Sequence, residues 1–357
     1  MTTLNIPLPG RAYDILIQSG LLDDVGVHCR GVLPHAEKLV VVTDSNVAPL
    51  YAHRVKCSLE SAGFSVHITV VPAGERSKSV AMLEHLYDAF MAFGLTRTDG
   101  VVALGGGVVG DLAGFAAATI LRGVNFIQIP TTLLAQVDSS VGGKVAIDLK
   151  AGKNLAGAFW QPKLVLMDPE CLTTLPDAIF SDGMAEVLKY GCIADDVFLE
   201  ALVAYGGREG VMEHIEHILE RCCSMKAKVV LEDETDTGAR MVLNFGHTLG
   251  HAYERAYHYE TYTHGQAVAA GMCKAAVLGV QLGVTPPEVV DRITHAVALY
   301  GLPVAIECSL NDYAGAIGLD KKGSGRALKL ILLDALGSAV AVKMEKQELL
   351  RILEELQ

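Results

Sequence analysis

The sequence predicts an α/β protein: an N-terminal parallel-sheet domain over residues 1–175, followed by a mostly α-helical domain over 176–357. Three observations predict it. The chain has 357 residues, enough for two domains at roughly 100–200 residues each. In its first half, short β-branched runs alternate with helical patterns, as in parallel strands joined by crossover helices. Beyond Pro176, helix-period segments follow one another with few strand-like runs between them.

Taken in order, the strands fall at 38–43 (KLVVVT), 65–71 (SVHITVV), 100–104 (GVVAL) and 125–129 (NFIQI). The border between domains falls near CLTTLP, 171–176. Helical periodicity then covers 183–192, 210–231, 246–257, 265–282 and 287–300. Near the end, ALKLILL and SAVAVK flank DALG, a β-hairpin with Gly337 in its turn, followed by a terminal helix.

Composition narrows the function. Apolar residues make up 51% and charged residues 20%, a globular balance. The net charge of -12 has the wrong sign for nucleic-acid binding or for docking on an anionic membrane. Eight cysteines include no CxxC pair, so inert thiols in a reducing compartment are expected rather than a disulfide framework. MTTLNIPLPGRAYDILI has neither a basic n-region nor an apolar h-region, and the apolar stretch 101–121 is broken by glycines and Asp111. The chain is expected in the cytoplasm.

Directly after GVVAL comes GGGVVGD, in which Gly105, Gly107 and Gly110 satisfy GxGxxG between a strand and a helix. Backbone amides there can approach a pyrophosphate at a positive helix end. The acidic residue expected about 20 positions later is missing, and Asp44, closing KLVVVT, stands in its place as acceptor for a ribose diol. Three glycines that merely pack a helix on a strand are the plainer alternative. PAGERSK (72–78) ends another strand with Glu75 and Lys78, which either face the same crevice or sit in a solvated loop.

The helical half carries donor groups. NFGHTLGHA puts His247 and His251 four apart on one helix face opened by Gly246, and His264 follows in THGQAV. GMAEVLKYG sets Glu186 among apolar Met184, Val187 and Leu188, beside a buried face where a carboxylate needs a partner. Two histidines and a glutamate make the ligand set of a catalytic zinc site; spacing does not say which two of the three bind, and a satisfied histidine pair is the alternative. In so acidic a chain, the cations Lys144, Lys153, Lys226, Arg240, Lys321 and Lys322, together with Asp138 and Asn154, suggest an anion-binding cleft between the domains for phosphate or carboxylate.

VDSSVGGKVAID, AGKNLAGAFWQP, GMAEVLKYG, NFGHTLGHA and HGQAVAAGM together resemble the 3-dehydroquinate synthase family, and the likeness runs from Asp44 to Lys322. The resemblance implies conversion of 3-deoxy-D-arabino-heptulosonate 7-phosphate to 3-dehydroquinate and phosphate, in the shikimate pathway of aromatic amino-acid biosynthesis. It implies transient oxidation by NAD, phosphate elimination, reduction and an intramolecular aldol closure, with Zn2+ or Co2+ bound. Carried over motif by motif, Glu186, His247 and His264 are the metal ligands and His251 faces the substrate instead. Asp138, Lys144, Lys153, Asn154, Lys189, Lys226, Arg240, Asn244 and Lys322 match substrate positions; His251, Asn244, Lys144 and Lys189 are the catalytic candidates among these. Asp44, Asn46, Glu75, Lys78, Gly106, Gly107, Asp111, Thr131, Thr132 and again Lys153 match NAD positions. Arg122 matches an arginine that enters a neighbouring subunit's site, which implies a homodimer. The chain departs from the family pattern before GMAE, where PDAIFSDG replaces the usual Arg-Glu pair and Ser. The rival readings are a metal-dependent NAD alcohol or polyol dehydrogenase, another cyclase such as 2-deoxy-scyllo-inosose synthase, and a non-catalytic sensor or scaffold.

Overall fold

The structure is a computed structural model that describes residues 1–236, 238–317 and 327–356. It divides into two compact units, residues 1–176 with 215–231, and residues 177–214 with 232–357. In chain order the first unit contains β1 (Thr2–Ile6), β2 (Tyr13–Ile17), α1 (Val25–Val32), β3 (Lys38–Asp44), α2 (His53–Ser61), β4 (Ser65–Val71), α3 (Val80–Phe93), β5 (Gly100–Gly105), α4 (Gly107–Thr119), β6 (Asn125–Pro130), β7 (Lys144–Leu149), β8 (Gly152–Phe159) and β9 (Leu164–Met167). Seven strands form one sheet in the order β1-β2-β9-β6-β5-β3-β4. All neighbours are parallel except β1, which runs antiparallel to β2 at the edge.

Strand β3 shows why this sheet must be covered on both sides. Its side chains alternate between faces, yet both sets are apolar and buried. Leu39 and Val41 join a core with Val25 and Cys29 of α1 and Val55 and Leu59 of α2. Val40 and Val42 join another with Leu86 and Phe90 of α3 and Leu112 and Ala116 of α4. A continuous β-branched run is thus what a doubly wound parallel sheet demands. The chain leaves β3 outward to edge strand β4 but leaves β5 toward β6. The connections leaving neighbouring strands β3 and β5 therefore run in opposite directions from their carboxyl ends, where open parallel sheets take ligands. Their register pairs Thr43 with Leu104, so Asp44 and Gly105 share that edge.

The chain continues through α5 (Asp177–Ala194), α6 (Asp196–Tyr205), α7 (Arg208–Glu213), α8 (Ile215–Glu232), α9 (His247–Ala256), α10 (His264–Gln281), α11 (Pro287–Leu299), α12 (Leu310–Ala316), β10 (Ala327–Ala335), β11 (Ser338–Glu345) and α13 (Lys346–Glu355). All but α8 belong to the second unit. Here α9 and α10 pack almost backbone to backbone: a Cβ on Gly271 would lie 2.2 Å from the Gly246 carbonyl oxygen. The hairpin β10–β11 turns at Gly337, whose φ of +79° is a left-handed conformation open to glycine. Among the described residues no helix is long and apolar enough to cross a membrane.

Two differences from the sequence reading have physical causes. The 210–231 segment, read as one helix of the second domain, breaks at His214, and α8 joins the first unit instead. Its stripe of Ile218, Leu219, Cys222, Cys223 and Val230 is buried, and the Cys223 thiol donates to the Gln136 carbonyl at 3.3 Å. Strands β1, β2, β7, β8 and β9 went unread. Of these β9 has only four residues, and β8 carries two glycines and an asparagine, all poor strand formers.

Candidate functional site

In the first unit, the glycine loop runs from β5 into α4, with Gly106 as the N-cap. Gly105 is obligatory, since a Cβ there would meet the Val109 side chain at 2.7 Å. Thr131 and Thr132 follow β6 at the same edge, the Thr131 amide donating to the Gly105 carbonyl at 2.9 Å. Asp44 spends one oxygen on the backbone: Oδ1 accepts from the amides of Asn46 at 2.8 Å and Val47 at 3.0 Å. The donor set fits a nucleotide: glycine amides at a helix start, plus a Thr131 hydroxyl that is buried and has no hydrogen-bond partner among the described residues.

Beside this loop the structure gathers five residues from three separate segments of the sequence. Lys78, only 4% exposed, donates from Nζ to Asp111 Oδ2 at 2.8 Å and to the side-chain oxygen of Asn154. Glu75 Oε1 lies 3.6 Å from the Lys78 ammonium and 3.9 Å from that of Lys153. Lys78 is therefore no solvated loop residue. Burial alone would lower its pKa, but Asp111 and Glu75 outweigh this and raise it. Burial pushes the Asp111 carboxyl up to about 6 while Lys78 pulls it back. Asp148, unnoticed in the sequence, accepts from the Asn154 amide at 2.8 Å and donates its own amide to the Lys78 carbonyl.

Lys226 of α8, 5% exposed, holds Asp138 doubly, donating to its backbone oxygen at 2.6 Å and its Oδ1 at 2.9 Å. Lys144 opens β7 with its side chain exposed. Arg122 is exposed on a tight corner where Leu121 and Arg122 adopt φ of 51° and 68°, a strained conformation for residues with a Cβ.

The second unit holds the other cluster. Glu186 on α5 is 1% exposed. Its Oε1 lies 3.5 Å from His247 Nε2 on α9 and 3.6 Å from His264 Nε2 at the start of α10, and its other oxygen pairs with Lys189. The ligand atoms of Glu186, His247 and His264 all lie within 4.8 Å of one another, whereas His251 groups with Glu254 and His264. The exposed His251 imidazole thus packs edge-on against His247, with ring centroids 5.7 Å apart, but lies outside the group that contains Glu186. Two neutral-capable imidazoles and a buried carboxylate are the donor chemistry of a divalent metal. Burial drives the His247 pKa down to about 3, keeping that imidazole unprotonated. Burial opposes charge on His264 too, but hydrogen bonds to Glu186 and Glu254 prevail and raise it to about 10. A proton there occupies the place between carboxylates that suits a cation.

Two further candidates belong to the same unit. Arg240 is 3% exposed, with Nη1 donating to the Glu234 carbonyl at 3.1 Å; Asn244 is exposed at the end of the turn leading into α9. Lys321 and Lys322 lie outside the described residues. Asp182, one of the family departures, fastens two helices together locally. Its Oδ1 accepts from the Gly265 amide at 2.6 Å, pinning the helix start that carries His264. Glu254 escaped the sequence reading, although its place seven residues after His247 on one helix face was the signal.

Fold and site together define the class, a sugar-phosphate cyclase architecture. A solved 2-deoxy-scyllo-inosose synthase, complexed with carbaglucose-6-phosphate, NAD+ and Co2+, superposes with a TM-score of 0.89 at 26% identity, covering 99% of this chain and 100% of that one. The 2-epi-5-epi-valiolone synthase of Streptomyces hygroscopicus subsp. jinggangensis, with NAD+ and Zn2+ bound, gives 0.85 at 26% identity and 96% coverage of both chains. Family models match the 3-dehydroquinate synthase N-terminal region over residues 68–182 and the C-terminal region over 183–323. The 3-dehydroquinate synthase of Clostridium beijerinckii is 46% identical over 344 residues, covering 96% of this chain and 98% of that one. The chain belongs to the 3-dehydroquinate synthase family.

Proposed function

We propose that the chain converts 3-deoxy-D-arabino-heptulosonate 7-phosphate to 3-dehydroquinate and phosphate, with NAD as a recycled catalyst and Zn2+ or Co2+ held by Glu186, His247 and His264. The observation that carries this is the buried Glu186 carboxylate within 3.6 Å of two imidazoles in a chain of this family. When bound, NAD would take a hydride from a substrate carbon and later return it, and the cation would polarise the hydroxyl on that carbon so that it gives up its proton. The chain's own groups do the rest. His247, kept unprotonated by burial, offers a lone pair without first losing a proton. Lys189, ion-paired with Glu186, sets a positive charge against that buried carboxylate.

Asp44, Asn46, Glu75, Lys78, Gly106, Gly107, Asp111, Thr131, Thr132 and Lys153 would hold the dinucleotide. Lys144, Asn154, Arg240, Lys226 with Asp138, and Lys322 would fix the substrate's phosphate and carboxylate in reactive geometry. His251, exposed beside the cluster, would move protons on the substrate with Asn244. Arg122 would complete a neighbour's site, making the working form a homodimer, and we read its place as the cytoplasm.

The test supplies catalytic NAD and excess heptulosonate phosphate. Phosphate should accumulate far beyond the NAD present, with NADH never exceeding enzyme and a carbocycle as product. NADH growing in step with product, without phosphate, would overturn the reading in favour of a dehydrogenase. Turnover of glucose 6-phosphate instead would make the chain a different cyclase.

A further inference from the structure

We propose that Glu254 is a positioning residue for the metal cluster: its carboxylate holds His264 by Nδ1, so that Nε2 is presented to Glu186 and His247. The inference rests on the metal reading above. Glu254 is 4% exposed, and a carboxylate buried so deeply requires polar company. That company includes two histidines: Oε1 lies 3.5 Å from His264 Nδ1, and Oε2 4.0 Å from His251 Nε2. The opposite nitrogen of His264 lies 3.6 Å from Glu186. One imidazole is thus set between two buried carboxylates, one at each ring nitrogen.

This arrangement has a chemical use. If Nε2 gives its lone pair to a cation, the ring hydrogen must reside on Nδ1, and an anionic acceptor there fixes the tautomer, stops ring rotation and makes Nε2 a stronger donor. His247 is held differently, its Nδ1 facing the Phe245 carbonyl at 3.2 Å. The two histidines therefore differ in basicity, one backed by a neutral dipole and the other by a full charge. The fold makes the contact possible. His247, His251 and Glu254 form one stripe of α9 at positions i, i+4 and i+7. Gly250 and Gly271 let α10 approach that stripe closely, a Cβ on Gly250 coming 3.1 Å from the Ala267 carbonyl.

The experiment titrates the metal-free full chain with Co2+ against a chromophoric chelator. Glu254→Gln keeps the shape and loses the charge, and should weaken Kd about tenfold; Glu254→Ala, which also removes the acceptor, should weaken it by up to about a hundredfold. Both should shift the visible absorption of bound Co2+, a signature that a purely structural role would leave alone. Should the alanine variant not fold, the isosteric glutamine variant decides by itself. Unchanged Kd and spectrum in a folded Glu254→Gln variant would overturn the proposal while leaving the metal reading intact. Loss of a second equivalent of Co2+, with the first bound as before, would also overturn it, because Glu254 would then be a ligand. A wild-type chain that takes up no metal would overturn both.

Discussion

Glu186 shows how little of a site one residue's surroundings in sequence disclose. Its apolar neighbours told that it faces inward, but its partners His247 and His264 come from two other helices. The i,i+4 spacing set His247 beside His251 without telling which two of the three histidines join Glu186, because periodicity sees one helix at a time; the packing of α10 on α9 brings His264 to Glu186. Replacing Glu186 with Gln removes the anionic donor and should weaken metal binding by more than about a hundredfold, since altering a mere outer contact already costs about 10–100-fold. Dialysis against a weak chelator followed by metal analysis checks this, and full zinc stoichiometry in the variant would refute the ligand role. His251→Ala should do the opposite, keeping its metal while kcat drops roughly 10²–10⁴-fold, the range of a lost proton-transfer group.

Among the elements, the central strands were the most readable because parallel strands buried on both faces are unbroken apolar runs. What joins their amino ends was not readable at all. Asp99, 2% exposed, accepts from the amides of Glu37 and Lys38 at the start of β3 and from the amide and hydroxyl of Thr96. Its own carbonyl receives the Asn125 amide at the start of β6. Burial alone would raise the pKa of this carboxyl, but the Thr96 hydroxyl and the three amides outweigh it and hold it below the usual 3.8. Asp99→Ala leaves those amides without their acceptor and should cost about 3 kcal/mol, visible as a lower denaturation midpoint with unchanged m. Because the folded pKa is depressed, Asp99 contributes its full stability above the unfolded value and loses it as pH falls through the folded one. The gap between wild type and Asp99→Asn should therefore narrow on acidification below pH 3.8. A gap independent of pH would rule out an ionised acceptor.

At the scale of the whole molecule, the change of texture at Pro176 was visible because strand and helix periods differ, but the fate of α8 was not. An amphipathic stripe tells that a helix is buried without telling against what. The same blindness applies to Arg122, whose left-handed corner no propensity would anticipate. If that arginine serves a neighbour's site, mixing inactive Arg122→Ala and Lys144→Ala subunits should restore roughly a quarter of wild-type activity, one repaired site in each mixed dimer of a random mixture. No recovery, with subunit exchange verified by mass, would exclude a shared site.

The return of α8 to the first unit also constrains how the protein is made. The amide of Ser19 donates to Glu216, 197 residues later, at 3.1 Å, and Asp138 waits 88 residues for Lys226. An emerging chain can pair β3 with β5 early, yet the sheet unit stays unfinished through all of α5, α6 and α7. Contacts of such long sequence separation are slow to close, and during that interval the apolar surface meant for Ile218, Leu219 and Cys222 is uncovered. A ribosome paused before residue 231 would hold a nascent unit ready for chaperone capture or aggregation, and a gene cut cleanly at the texture change would encode a half that never seals.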